Sequence, residues 1–418
     1  MPPPPRHHRA RLVGALGVLT VLGLSACAAP ASTSAPAEEQ EWAEVLQQAR
    51  GDTVRLWMYG GDQQGNDYVD DVLAPAAADQ LGVTLERVPV ADTADALTRV
   101  LSERQADVDD GAVDLVWVNG DNFRTGKQAG AWLCGWADDL PNHELLDPDD
   151  PLLATDFGTP VEDCESPWHK AQFTLVYDSV RVPDPPSTLG GVLAWAEQNP
   201  GRFTYPAPPD FTGSVFVRET LLSVSGGPDQ VPAAFDQAAY DELTPALWQR
   251  LRDLAPSLWR DGRTYPRDGA ALDKLFADGE VDLTMTYGPA TLTKLVRQGT
   301  FPETTEVLPL EGGTVGNASF LAIPASSGAQ QASMAVADLA LSPRQQAAKA
   351  DPAVWGQFPA VEVSRLDAEQ RAQFDALPQS DVVPPFEQLS RGAHGELAAE
   401  WVSALDEGWR REVLGGGS

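Results

Sequence analysis

Histidine, cysteine and positive charge are all scarce in this sequence, and each shortage removes a class of chemistry. Only five His occur in 418 residues, and beyond the first ten residues only His143, His169 and His394 remain. They show no metal-ligand spacing and no triad partner, which leaves zinc and His-based catalysis without material. There is no P-loop, no G-x-G-x-x-G and no H-E-x-x-H, so neither a cofactor nor a metal is expected. Ser214 sits in Thr-Gly-Ser-Val-Phe without the second Gly of a nucleophile elbow. Lys and Arg number 29 against 61 Asp and Glu, a formal charge of −32, which excludes nucleic acid and anionic membrane surfaces as partners.

The N-terminus carries what basic residues it can: Arg6, His7, His8, Arg9 and Arg11 precede an apolar run from Leu12 to Leu24. That run is too short for a permanent membrane helix. It ends in Leu24-Ser25-Ala26-Cys27, which resembles the lipobox of bacterial lipoproteins. The resemblance implies a signal peptide over 1–27, export, and a lipid on Cys27 that anchors the chain to the outer face of the cytoplasmic membrane. Each buried acyl methylene contributes about 0.8 kcal/mol, enough for anchoring when several chains are attached. Residues 28–40, small, polar and proline-containing, read as a flexible tether. Loss of Arg6, Arg9 and Arg11 with the signal takes Lys and Arg from 29 to 26 and the charge to −35. With Cys27 assigned to lipid, Cys134 and Cys164 remain. Outside the cytoplasm a disulfide is their simplest state, and it contributes about 2–4 kcal/mol. Two buried thiols and a metal pair are the alternatives, the latter short of further ligands.

The body repeats strand, glycine-containing turn, helix. Val54–Tyr59 is a strand ending at Gly60-Gly61, and a helix is expected over 66–80. Residues 83–88 form a second strand, Asp92 or Thr93 caps a helix, and Val113–Val118 is a third, mostly apolar strand of the kind found in parallel sheets. Another strand surrounds residues 173–178, before the proline-rich break at 182–187. Beyond it, Arg202–Tyr205 reads as a strand, Thr212-Gly213-Ser214 opens a helix, Asp268 caps another, 281–287 is a strand, and 316–324 is a final apolar strand returning between lobes. A mature length near 390 residues suggests two α/β domains.

An exported, tethered, two-lobed chain with polar turns beyond its strand ends resembles the solute-binding lipoproteins of bacterial ABC importers. The segments WMYGGDQQGNDYVDDVLAP, VDLVWVNGDNFRTGKQAGAW, RFTYPAPPDFTGSVFVRETL and MTYGPATLTKL are similar to the YnjB-type branch, related to spermidine-, thiamine- and ferric-iron-binding proteins. The resemblance implies a type II periplasmic-binding fold, two doubly wound lobes closing about a hinge, and a monomer delivering a small molecule to a permease with its ATPase. It places the first lobe at 41–177 with 318–350 and the second at 178–317 with 351–418. Tyr59, Gly60, Gly61, Asp62, Asn119, Gly120, Asp121 and Asn122 would line one wall of the cleft. Tyr205, Asp210, Thr212, Gly213, Ser214 and Tyr287 would line the other, with Asn317 near the hinge.

Residue chemistry leaves the ligand open. The helix start at Thr212–Ser214 suits an anion or is simply capped. Asp62, Asp121 and Asp210 suit a cation, over whose face Tyr59, Tyr205 or Tyr287 stacks for roughly 0.5–2 kcal/mol. A thiamine-like or polyamine cation, or a zwitterion, fits this mixture; ferric iron usually wants adjacent tyrosines, and no Tyr-Tyr occurs. Trp57 and Trp117 lie inside strands and read as core. The competing readings are a carboxylate-based glycosidase, since paired acids leave little sequence trace, and a surface receptor or adhesin without a transport role.

Overall fold

The computed structural model describes residues 37–378 and 380–415. The expected signal peptide with Cys27 and most of the expected tether lie outside the described residues. The tether gives way before residue 40, because the helix Ala37–Ala49 starts inside it. In chain order the strands among the described residues are β1 Thr53–Tyr59, β2 Thr84–Val90, β3 Leu115–Val118, β4 Thr155–Asp156, β5 Thr159–Pro160, β6 Glu165–Gln172, β7 Thr174–Asp178, β8 Leu283–Thr286, β9 Thr305–Leu308, β10 Val315–Ala322, β11 Phe358–Pro359 and β12 His394–Gly395.

The first lobe is built on a sheet of order β11-β6-β10-β3-β1-β2, with β12 beside β10. Strand β1 alternates, burying Val54, Leu56 and Met58, as the two-residue period of a pleated strand requires. It pairs in parallel with β2 and β3. The sheet is mixed rather than all parallel, because β10 enters from the other lobe and runs antiparallel to both β3 and β6. The helix expected over 66–80 spans 63–81, interrupted by a π turn at Val69–Leu73. Pro75, lacking an N–H, follows that turn, and the wider i→i−5 bond from Ala74 to Val69 keeps the helix continuous. Asp92 and Asp268 cap their helices as the sequence predicts.

The second lobe holds a three-stranded sheet, β8-β7-β9, in which β7 is antiparallel to both neighbours. Arg202–Tyr205 is not a strand. It is an extended segment held by separate bonds from Asp282 to the Arg202 carbonyl and from Trp259 to the Phe203 carbonyl. Aliphatic and aromatic side chains fill one core in the second lobe around Phe203, Phe216 and Trp409, and two clusters in the first, around Tyr68, Trp168 and Trp355 and around Val116, Phe123 and Trp132.

Three crossings join the lobes, and they shift the boundaries expected from the sequence. Strands β6 and β7 are one extended run broken only at Phe173, so the first crossing lies there and not after residue 177. The second runs over 309–314, since β10 already belongs to the first sheet from Val315. Residues 351–377 stay with the first lobe: β11 pairs with Lys170 and His169, Glu362 N–H reaches the Leu145 carbonyl, and Phe374 packs on that core. Only the last segment returns, bringing Trp401 and Trp409 fully into the second core. Cys134 and Cys164 form a disulfide, 30 residues apart in sequence.

Candidate functional site

The turns after β1 and β3 and the start of the helix Phe211–Ser225 are the segments expected to face the cleft, and the end of β3 comes close to that helix through Phe157, whose ring centre lies 6.3 Å from that of Phe211. At the end of β1 the glycines serve the chain's own packing. A Cβ at Gly60 would stand 2.8 Å from the Cβ of Pro89, and one at Gly61 would stand 2.1 Å from the hydroxyl oxygen of Tyr59, whose ring folds back over it while remaining half exposed. Asp62 caps the following helix, accepting from the N–H groups of Gln64 and Gly65, and its other oxygen accepts from the Trp355 indole at 2.8 Å. Its carboxylate is therefore occupied within the first lobe.

At the end of β3, Gly120 has φ +62°, a conformation that favours glycine. Its N–H points at the carboxylate of Asp156, 2.8 Å from both oxygens. Burial pushes the Asp156 carboxyl well above its ordinary range, the Gly120 N–H opposes this, and nearby Glu396 adds to it. Asp121 pairs with Arg124 at 2.7 Å, and Arg124 reaches across to Glu400 of the returning helix at 2.7 Å.

In the second lobe, the helix start read from sequence as either an anion site or an ordinary cap is capped by the chain itself. Asp210 accepts from Gly213 at 3.0 Å and from Gly269 at 3.3 Å, and Ser214 N–H bonds to the Asp210 carbonyl. Burial raises its carboxyl, and the N–H groups of Gly213, Gly269 and Thr212 hold it down. Ser214 is buried, donating to Asp406 at 2.6 Å and accepting from Arg218 at 2.7 Å. Tyr287 lies edge-on to Phe211, ring centres 4.8 Å apart, with its hydroxyl 3.3 Å from Glu396. Burial, then Glu396, pushes the Tyr287 phenol well up. Tyr205 is not at this wall: it is fully buried, stacked on Phe216 at 4.5 Å, and its hydroxyl accepts from Trp409. An aromatic flanked by apolar strand residues reads equally as platform or core, and packing decides for core.

The lobes meet where these walls face. The β4–β5 hairpin carries Phe157 at φ +45° toward Phe211, ring centres 6.3 Å apart, and a Cβ at Gly158 would stand 3.1 Å from the Cα of Ala398. A groove of about 380 Å³ runs along this contact, between Arg124, Gly158 and Pro160 on one side and Phe235, Ala398 and Glu400 on the other. Asn119, Asn122, Thr212 and Asn317 keep their side-chain polar atoms without a hydrogen-bond partner among the described residues. Asn317 lies on β10 opposite Ala171, close to the second crossing. Among the described residues no three His, Cys, Asp or Glu side chains converge as metal ligands would.

Sequence reasoning missed Asp156, Phe157, Arg218, Trp355 and Glu396. Asp-Phe-Gly inside the Thr155–Pro160 stretch carried a turn signal through Gly158. Glu396 carried none, since its partners lie 109 and 178 residues away.

Two α/β lobes joined by three crossings, with polar strand ends facing each other, define a periplasmic-binding architecture of the second type. Residues 71–379 match the family model of the bacterial extracellular solute-binding proteins. The chain is 37% identical over 370 residues to protein YnjB of Escherichia coli strain K12, covering 88% of this chain and 93% of that one. The chain thus belongs to the bacterial extracellular solute-binding protein family. Its fold is similar to that of an ABC transporter protein from Clostridium perfringens, with a TM-score of 0.62 at 14% identity over 86% of this chain and 98% of that one. A spermidine/putrescine ABC transporter substrate-binding protein from Streptococcus pneumoniae gives 0.60 at 12% identity, over 87% and 99%.

Proposed function

We propose that this protein captures a small cationic or zwitterionic molecule between its lobes and delivers it to the permease and ATPase of an ABC importer, held at the membrane by a lipid on Cys27. The observation that carries the charge preference is Asp210. Its carboxylate caps this helix start through the Gly213 N–H and also accepts from Gly269 at the start of the helix Gly269–Ala277, which sets a negative group where an anion would otherwise be held. Where the lobes meet, the first lobe contributes the exposed carboxylate of Asp121 and the returning helix that of Glu400, both paired with Arg124, and Phe211 and Tyr287 add aromatic rings. Carboxylates with aromatic faces suit a quaternary or protonated amine. The free amides and hydroxyl of Asn119, Asn122, Thr212 and Asn317 supply orientation, as a few convergent polar groups do in small-molecule sites. The reading requires no catalytic step.

The test is a thermal-shift panel of polyamines, thiamine and its phosphates, amino acids, sugars and anionic metabolites. Binding to the folded state raises the melting temperature by linkage. The expected outcome is stabilisation by one of the amine-bearing compounds and a tenfold loss of affinity, about 1.4 kcal/mol, in Tyr287→Ala. Stabilisation by anions alone would overturn the charge preference, and no response to any compound would count against capture itself.

A further inference from the structure

The helix Phe211–Ser225 begins at the cleft and, two turns on, takes hold of the hinge. Thr212 and Glu219 are seven residues apart, about 10 Å along a helix at 1.5 Å per residue. Glu219 accepts the backbone N–H of Val315, the first residue of β10. Arg218 makes a two-pronged ion pair with Glu396, both bonds 2.8 Å, one residue past β12. The crossings are also tied to one another: Phe173 N–H bonds to the Val315 carbonyl at 2.9 Å, and His394 N–H to the Thr314 carbonyl at 3.2 Å. Phe173, Thr314–Val315 and His394–Glu396 therefore form a single knot, and one turn of this helix grips two of its three strands.

Arg218 is 0% and Glu219 4% exposed. Burying ionisable groups of this kind gives little net stability compared with apolar residues of similar volume. What they supply, and leucine would not, is a directional hold on particular backbone and carboxylate groups. From the same turn Arg218 also reaches back to Ser214, and through it to Asp406, next to the cleft-facing helix start.

We infer that Arg218 and Glu219 are positioning residues for lobe closure, coupling the cleft end of this helix to the second and third crossings and so setting the angle between the lobes. The inference rests on the capture reading only in calling that motion closure. A displacement of the helix start is carried along a rigid helix to the strands that must bend, as bistable packed elements transmit small shifts.

Glu219 offers a handle on the clamp. Burial foremost raises its carboxyl to about 8, with the Val315 N–H and Arg218 opposing and Glu396 adding. The groups facing it are Arg218 on its own helix, Glu396 and His394 on the third crossing (the His394 Nε2 lies at 4.0 Å), and Tyr287 beyond Glu396. His394 is lowered by burial and Tyr287 raised by it, so both stay neutral between pH 7 and 9. Glu219 is raised into that window, where it becomes an anion beside Glu396.

Small-angle X-ray scattering of the ligand-free, non-lipidated chain tests this without knowledge of the cargo. Wild type and Glu219→Gln, which keeps an acceptor for Val315, are expected to give the same compact pair-distance distribution at pH 7. Arg218→Met and Glu219→Ala are expected to give a larger radius of gyration with circular dichroism unchanged. On going to pH 9 wild type is expected to open, whereas Glu219→Gln stays compact; a merely structural glutamate would not separate the two. The wild-type and Glu219→Gln series suffices if the other variants do not fold. Identical scattering across that series would overturn the clamp. Because no ligand enters, silence in the thermal-shift panel and failure here are separate results.

Discussion

The indole of Trp355 donates to Asp62 at 2.8 Å, joining residues 293 positions apart. The same carboxylate caps the helix after β1, so one side chain fixes both the start of that helix and a fully buried ring of the first core. A residue that the sequence places on a ligand wall is thereby committed to folding the wall. Asp62→Ala removes a cap and leaves the fully buried Trp355 with its N–H unpaired, which costs about 1–3 kcal/mol. Asp62→Asn keeps an acceptor oxygen and should cost less. Urea unfolding of both variants, read as a shift in midpoint at constant m, checks the order.

Gly213 has a comparable commitment, to Pro206. A Cβ there would lie 2.0 Å from the Pro206 carbonyl oxygen and 2.7 Å from its carbon, both backbone atoms. Backbone cannot swing aside as a flexible side chain can, so Gly213→Ala must displace the helix start or the 206–209 loop. The expected outcome is destabilisation of about 1–3 kcal/mol or more and a change in whatever binds beside Thr212. An unaltered denaturation midpoint would show that this approach relaxes freely.

These examples show where sequence reading succeeds. β1, β3 and the helix start at Thr212–Ser214 were legible because their signals are local: period-two burial, an apolar run closed by Asn-Gly, and a small polar triplet before a helix. Trp57 and Trp117, expected in the core, are only half-buried, Trp117 packing edge-on against Trp168 and Trp355. The assignment of strands to lobes was not legible. Periodicity reports that a strand is buried on alternate sides and says nothing about which sheet it joins, so β6 and β7, separated by Phe173 alone, could not be divided. The partners of Ser214, Arg218 and Gly120 were invisible for a related reason: crossings bring Asp406 and Glu396 to the first two, and the β4–β5 hairpin, 36 residues on, brings Asp156 to the third.

The disulfide ties the loop after the Asp121–Gln128 helix to the start of β6. Closing a loop of that length removes unfolded-state entropy equivalent to about 2–4 kcal/mol. Reduction, or Cys134→Ala with Cys164→Ala, should lower the unfolding free energy by that amount while leaving ligand-induced stabilisation intact, because neither Cys lies at the lobe contact. Parallel thermal scans with and without reductant, each with and without the best compound from the panel, separate the two effects.

Glu165 gives the clearest pH dependence. It lies on β6, 1% exposed, and neither carboxylate oxygen has a hydrogen-bond partner among the described residues. Burial, then Asp156, raises its carboxyl well above the ordinary range, with Lys127 opposing. A carboxyl raised in the folded state binds a proton there that the unfolded chain releases. Its contribution to stability is therefore complete below the unfolded value, near 4.5, and is lost as pH rises towards the folded value. Glu165→Gln takes the charge out of the balance. The variant should be more stable than wild type at pH 8, by about 1–3 kcal/mol, and the gap should close steadily on acidification to pH 4.5. Unfolding free energies at five pH values across that range decide it. A gap that stays constant, or widens towards acid, would mean that Glu165 is ionised in the folded protein and held by a partner.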